Sequence, residues 1–215
     1  MIAKNLFILA GAYFQPNAAT TQRSHKHNTP MSAPLVSQNP PRTRRRRTRK
    51  LRTAAAFLEW EPPAGPYKYE WVDGALEKSP YMMKNTERGI VQKIQRAFAQ
   101  TKAYQEGGEL FAETPVFVTK DWIRIPDLSF YDSAQIDASV QGEFPVPAWA
   151  IELISPNETG LKIERKALEY MNTGVQALWQ IYPDLRMVQV RTSANSAPPH
   201  PPLPDMKISV NDLFG

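Results

Sequence analysis

The stretch that most constrains how this chain folds is Ala148-Trp149-Ala150-Ile151-Glu152-Leu153-Ile154-Ser155-Pro156. A short apolar run, closed by Ser-Pro and the polar Asn157-Glu158-Thr159-Gly160, has the pattern of a β-strand. Trp149, Ile151 and Leu153 alternate on one face, and Ala148, Ala150 and Ile154 on the other. Both faces are apolar, so the strand must be covered on both sides. In its middle stands one carboxylate, Glu152. Burying it alone would cost several kcal/mol, so the fold must supply a cation, a metal or a proton. What the protein does depends on which of these Glu152 meets.

The neighbouring segments build an α/β unit around that strand. Tyr67–Val72 alternates aromatic and polar residues, Asp73-Gly74 is a turn, and 75–78 returns, which is a hairpin signal. A helix is expected over 85–105, with Ile90, Val91, Ile94, Phe98 and Tyr104 at helical spacing before Gly107-Gly108 breaks it. Glu87 lies one turn before Ile90 on the core-facing side; an acid at a helix N-terminus is also favourable on its own account. Strands over 110–118 and 122–130 follow, joined by Thr119-Lys120-Asp121. The second contains Ile125-Pro126-Asp127, and a proline inside a strand marks an edge or a bulge, where side chains are often aimed at a site. Residues 135–147 read as a loop. A helix over 161–172 places Ile163, Ala167, Tyr170 and Met171 inward with Lys166 between them, and Gly174 is its C-cap. Strands over 177–182 and 187–191 flank Pro183-Asp184, a Pro-rich loop covers 193–204, and a last short strand is expected over 206–210.

Charge divides the chain. Residues 1–66 carry 11 Lys/Arg against 2 Asp/Glu, a net +9, and residues 67–215 carry 15 against 19, a net −4. The first part lacks hydrophobic periodicity and is rich in Pro, Thr, Asn and Arg, so 1–66 reads as a disordered basic arm and 67–215 as one domain. The dense run from Arg42 to Arg52 would attract polyphosphate through counterion release without reading sequence; a solvated arm with no partner accounts for it equally well. The apolar stretch 6–14 after Lys4 lacks a clean cleavage site for a secretory signal, and Met31 could also initiate the chain. No run approaches the ~20 apolar residues of a membrane span, and the absence of cysteine rules out a disulfide framework or a thiol nucleophile and suits a cytoplasmic protein.

Asp127 and Glu152, on neighbouring strands, would form a hard-oxygen site suited to Mg²⁺, an ion held by one or two carboxylates plus water and substrate phosphate. The ion would neutralise Glu152, and Lys166 would stabilise or position a water attacking phosphorus. The plainer alternative is a Glu152–Lys166 salt bridge that holds helix to sheet.

Four motifs occur here in order: Tyr69-Glu70-Trp71-Val72-Asp73-Gly74, Ile125-Pro126-Asp127-Leu128-Ser129-Phe130, Ala150-Ile151-Glu152-Leu153-Ile154-Ser155-Pro156, and Lys166-Ala167-Leu168-Glu169-Tyr170 with Gly174-Val175. From about Tyr67 to the C-terminus the chain resembles the Uma2 family, also called DUF820, of restriction-endonuclease-like proteins. The resemblance implies a PD-(D/E)XK nuclease core, a central mixed sheet flanked by helices, that cuts phosphodiester bonds in DNA with Mg²⁺ or Mn²⁺. Asp127 would be the first acid and Glu152 the second, with the Leu153 carbonyl as a third metal ligand. The usual lysine two places after the glutamate is replaced by Ile154, and the resemblance implies that Lys166 would take its role from the following helix. Glu87 occupies the first-helix position where relatives carry a histidine or an acid. A catalytically idle interaction module on the same fold, and a homodimer, both remain open, and the basic arm lies outside the resemblance.

Overall fold

Asp73 and Gly74 have φ of 52° and 71°, the pair of left-handed residues that a two-residue hairpin turn requires. They join β1 (Tyr67–Val72) to β2 (Ala75–Pro80), paired antiparallel from Val72↔Ala75 to Tyr67↔Pro80. The structure, a computed structural model, describes residues 51–80, 83–193 and 203–215. The apolar stretch 6–14, the basic run up to Lys50 and most of the Pro-rich segment lie outside the described residues.

The expected strand pair 110–118 and 122–130 exists, but both strands are bent and shared between two sheets. Their first and last parts, β3 (Glu109–Ala112) and β6 (Leu128–Tyr131), pair in a five-stranded sheet. Their middle parts, β4 (Val116–Thr119) and β5 (Trp122–Arg124), pair in a four-stranded sheet of order β2-β1-β5-β4. One strand turns at Glu113, with φ of 52°, and the other at Pro126, which has no N–H to continue a ladder. The larger sheet has the order β3-β6-β7-β8-β9, with β7 at Trp149–Leu153, β8 at Ala177–Tyr182 and β9 at Met187–Thr192. Only β7 and β8 are parallel in it. A parallel pair needs a crossover, here the helix over Gly160–Thr173, which ends at Gly174 with φ of 108°.

As its sequence requires, β7 is covered on both faces. Trp149 and Ile151 share a core with Ile90, Ile94 and Phe98 of the helix Asn85–Phe98. Ala150, on the other face, is in a second core with Ala167 and Tyr170 of the crossover helix and Val116 and Val118 of β4. Among the described residues there are six α-helices, and none is long and apolar enough to cross a membrane. In chain order we label them α1 (Ala54–Leu58), α2 (Asn85–Phe98), α3 (Lys102–Gln105), α4 (Ser133–Val140), α5 (Gly160–Thr173) and α6 (Val210–Phe214).

Several expectations need correction. Packed structure begins before Tyr67: Thr53 caps α1, and Ala54 and Phe57 are buried with Trp71 and Ile123. A five-residue helix is too short to show periodicity, and its burial is decided by the sheet beneath it. The helix over 85–105 is interrupted at Thr101, whose hydroxyl donates to the Phe98 carbonyl and accepts from the Tyr104 N–H, starting α3. The supposed loop 135–147 begins inside α4, which opens on a capping box between Asp132 and Gln135. No strand forms over 206–210; Leu203 and Met206 are buried individually, and Ser209 caps α6 instead.

Candidate functional site

The break at Pro126 makes the site. Just after it, the Asp127 N–H donates to the Ile151 carbonyl at 3.0 Å, so Asp127 enters the ladder beside β7. Its side chain then takes the place of the missing strand: Asp127 Oδ2 accepts from the Leu153 N–H at 2.6 Å. The first acid is thereby fixed on the backbone of the residue that follows the second acid.

Glu152 projects from the face of β7 that looks at α5 and is 5% exposed. Its Oε1 accepts from the Tyr170 hydroxyl at 2.8 Å and lies 2.9 Å from Lys166 Nζ. Lys166 and Tyr170, four residues apart on α5, share a helix face, which is why both reach one carboxylate. Burial pushes the Glu152 carboxyl above the ordinary carboxylate range, against the pull of Lys166 and Lys68. Lys166 moves the other way from what burial alone would do: Glu152 and Glu70 hold it protonated, above the usual lysine value.

Two further residues of the site come from β1. Lys68 and Glu70, two apart, leave the same face of the strand, while Tyr69 and Trp71 turn to the other and meet Trp60 and Phe57. Lys68 Nζ lies 2.7 Å from Asp127 Oδ1. Its pKa is raised: burial opposes this, and Asp127, Glu152 and Glu70 more than offset it. Glu70 Oε1 accepts from the Ile125 N–H at 3.0 Å and is 3.4 Å from Lys166 Nζ, while Oε2 pairs with Arg124 at 3.1 Å. The fully buried Arg124 also binds Glu77 at 2.8 Å through Nη1 and Glu169 at 2.6 Å through Nε.

Asp127, Glu152, Lys166 and the Leu153 backbone are thus brought together. Glu87 is not joined to them by a described bond; it sits at the start of α2, where its Oε2 accepts from the Lys84 N–H at 2.7 Å. Lys68, Glu70, Arg124 and the hydroxyl of Tyr170 were missed by sequence reasoning. The polar positions of Tyr67–Val72 were visible, but alternation alone assigns them to solvent, and only the packing of β1 against the β5–β6 crossing buries them. The signal available was Glu70 within a motif of the resemblance.

Does this donor set suit a metal? Among the described residues no three His, Cys, Asp or Glu side chains gather as a ready cage. Two carboxylates and a backbone carbonyl nevertheless match an ion that keeps much of its water, as Mg²⁺ does. The ammonium at Asp127 marks a place where positive charge is favoured. The residues fit a hydrated divalent ion and do not fit a fully protein-ligated one.

A mixed five-stranded sheet, flanked by α2 and α5, with Glu152 on its central strand and Asp127 at the entry to the neighbouring β6, defines a restriction-endonuclease-like α/β fold. The chain belongs to the Uma2 family: the family model, described as "Putative restriction endonuclease", matches residues 54–213. It is also similar in structure to a protein from Anabaena variabilis ATCC 29413 described as "a putative nuclease belonging to DUF820". The TM-score is 0.58 at 22% identity, covering 75% of this chain and 97% of that one. Among curated proteins none matches the chain.

Proposed function

We propose that this protein is a metal-dependent endonuclease that hydrolyses phosphodiester bonds in DNA at a PD-(D/E)XK-type site whose lysine has moved to α5. The observation that carries the reading is the seating of Asp127 on the Leu153 N–H, beside a Glu152 that is within 2.9 Å of Lys166. Membership of Uma2 supports it. Asp127, Glu152 and the Leu153 carbonyl would hold Mg²⁺ or Mn²⁺, which when bound supplies a more acidic water and a Lewis acid for the phosphoryl oxygens. Lys166 is held as an ammonium by Glu152 and Glu70, so it serves as a donor to a water or to phosphate oxygen and not as a base. Tyr170 fixes the rotamer of Glu152. Glu87, which caps α2 by accepting from the Lys84 N–H, would be the first-helix acid of the site. The run up to Lys50 would add salt-sensitive, sequence-independent affinity. A truncation to test this must stop at residue 50, because Ala54 and Phe57 belong to the core.

Purified protein with supercoiled plasmid tests the reading. Cleavage should require Mg²⁺ or Mn²⁺, stop with a chelator, and fall by roughly a hundredfold or more in Asp127→Asn and Glu152→Gln. A parent protein without metal-dependent cleavage would overturn it.

One observation favours a second reading, an interaction module with an idle site: each acid already has its own lysine, Lys68 on Asp127 and Lys166 on Glu152. On that reading Lys166→Met leaves a buried carboxylate short of its partner and destabilises the fold by about 3–5 kcal/mol, with no cleavage to lose.

A further inference from the structure

Lys68 is the part of the site that neither the motifs nor the family description assigns. The Asp73-Gly74 turn fixes the register of β1, so that Lys68 and Glu70 enter the site together. Asp127 has two oxygens. The backbone N–H of Leu153 holds Oδ2 at 2.6 Å, and Lys68 Nζ holds Oδ1 at 2.7 Å, a charge-assisted distance. Both side chains of the pair are about nine-tenths buried, so water weakens the contact little. The same ammonium lies in the field of Glu152 and Glu70. A divalent ion on Asp127 and Glu152 would compete with Lys68 for the Asp127 carboxylate and would be repelled by its charge at close range.

We propose that Lys68 is the resident counter-ion of the metal-free site, and that a divalent ion binds Asp127 and Glu152 in exchange for the Lys68 ammonium. Lys68 then sets the metal affinity: it keeps the two acids assembled in the absence of metal and competes with the metal for them. The inference rests on the metal reading of Asp127 and Glu152. It differs from an ordinary salt bridge between the hairpin and β6, for which loss of Lys68 would loosen the site and weaken metal binding or leave it unchanged.

Calorimetric titration of Mn²⁺ into the full chain tests it, comparing the parent with Lys68→Met, Lys68→Gln and Lys68→Arg and using Asp127→Asn as the blank. Loss of the competing charge should tighten Mn²⁺ binding at least about tenfold in the Met and Gln variants, whereas Lys68→Arg, which keeps the charge, should stay within about threefold of the parent. Thermal melting provides a second readout: without metal Lys68→Met should melt below the parent, and saturating Mn²⁺ should raise it by more. If the Met variant does not fold, the Gln variant, which can still donate to Asp127, decides. A parent that binds Mn²⁺ and neutral variants that bind equally or more weakly overturn the exchange and leave the metal site standing. No binding by the parent or by any variant overturns both. Tighter binding in the neutral variants with no plasmid cleavage by the parent upholds the exchange and removes the nuclease reading.

Discussion

Two buried charge clusters share Glu70, and they are built differently. Around Arg124, one guanidinium is divided among Glu70, Glu77 and Glu169. Its charge is permanent and its donors lie in a rigid plane; its Nη2 finds no partner among the described residues. Around Asp127 and Glu152, the cations are the ammonium groups of Lys68 and Lys166, compact charges on flexible stems that can be moved or exchanged. The first cluster clamps the hairpin and α5 to β5. The second places two acids where an exchangeable cation stands. Glu70 passes rigidity from one to the other, anchored by Arg124 and the Ile125 N–H while its Oε1 faces Lys166.

The sharpest way to break this contrast is Arg124→Met. It leaves buried carboxylates without their partner, and urea unfolding should show a loss of about 3–5 kcal/mol. A loss below about 1 kcal/mol would mean that the clamp holds nothing. Next comes acid. Burial raises the Glu70 pKa, but Lys166, Arg124 and Lys68 outweigh it and bring it from 4.5 down to about 2. A folded value below the unfolded one contributes stability that is complete above about pH 5 and disappears as pH falls through the folded value. The stability gap between the parent and Glu70→Gln should therefore shrink by about 3 kcal/mol from pH 6 to pH 2; a gap constant with pH would contradict the assignment.

Lys166→Met addresses the second cluster. Glu152 keeps Tyr170 and Glu70 keeps Arg124, so with metal present stability should change by less than about 2 kcal/mol, since methionine replaces the packed stem. Plasmid cleavage should fall on the order of a hundredfold. The reverse pattern, a large stability loss with no rate effect, would make both clusters structural. The smallest expected effect is that of Tyr170→Phe, which removes one hydrogen bond to Glu152 and should cost about 1 kcal/mol in thermal or chemical unfolding. A larger cost would show that the hydroxyl, more than Lys166, holds the carboxylate.

The sequence by itself determined the central strand, because apolar residues at both parities of 149–153 admit no half-exposed arrangement. It also determined the Asp73-Gly74 hairpin, the Gly174 cap of α5 and the inward side of that helix, all local consequences of backbone freedom and spacing. With the strand-breaking Pro126 and the family resemblance added, Asp127, Glu152 and Lys166 could be named as candidates before their contacts were known. Tertiary structure alone decided which cations meet which acids. The alternation in Tyr67–Val72 looks the same whether its polar face meets water or a site, and the contact of Lys68 with Asp127 joins residues 59 apart in the chain. Nothing in the sequence of 122–130 marks Arg124 as buried, and it is Glu77 of β2 and Glu169 of α5 that close over it. The short helices α1, α4 and α6 and the bend that shares one strand pair between two sheets were illegible for a related reason. Five to eight residues carry too little periodicity to choose a helix, and packing against the finished sheets makes the choice.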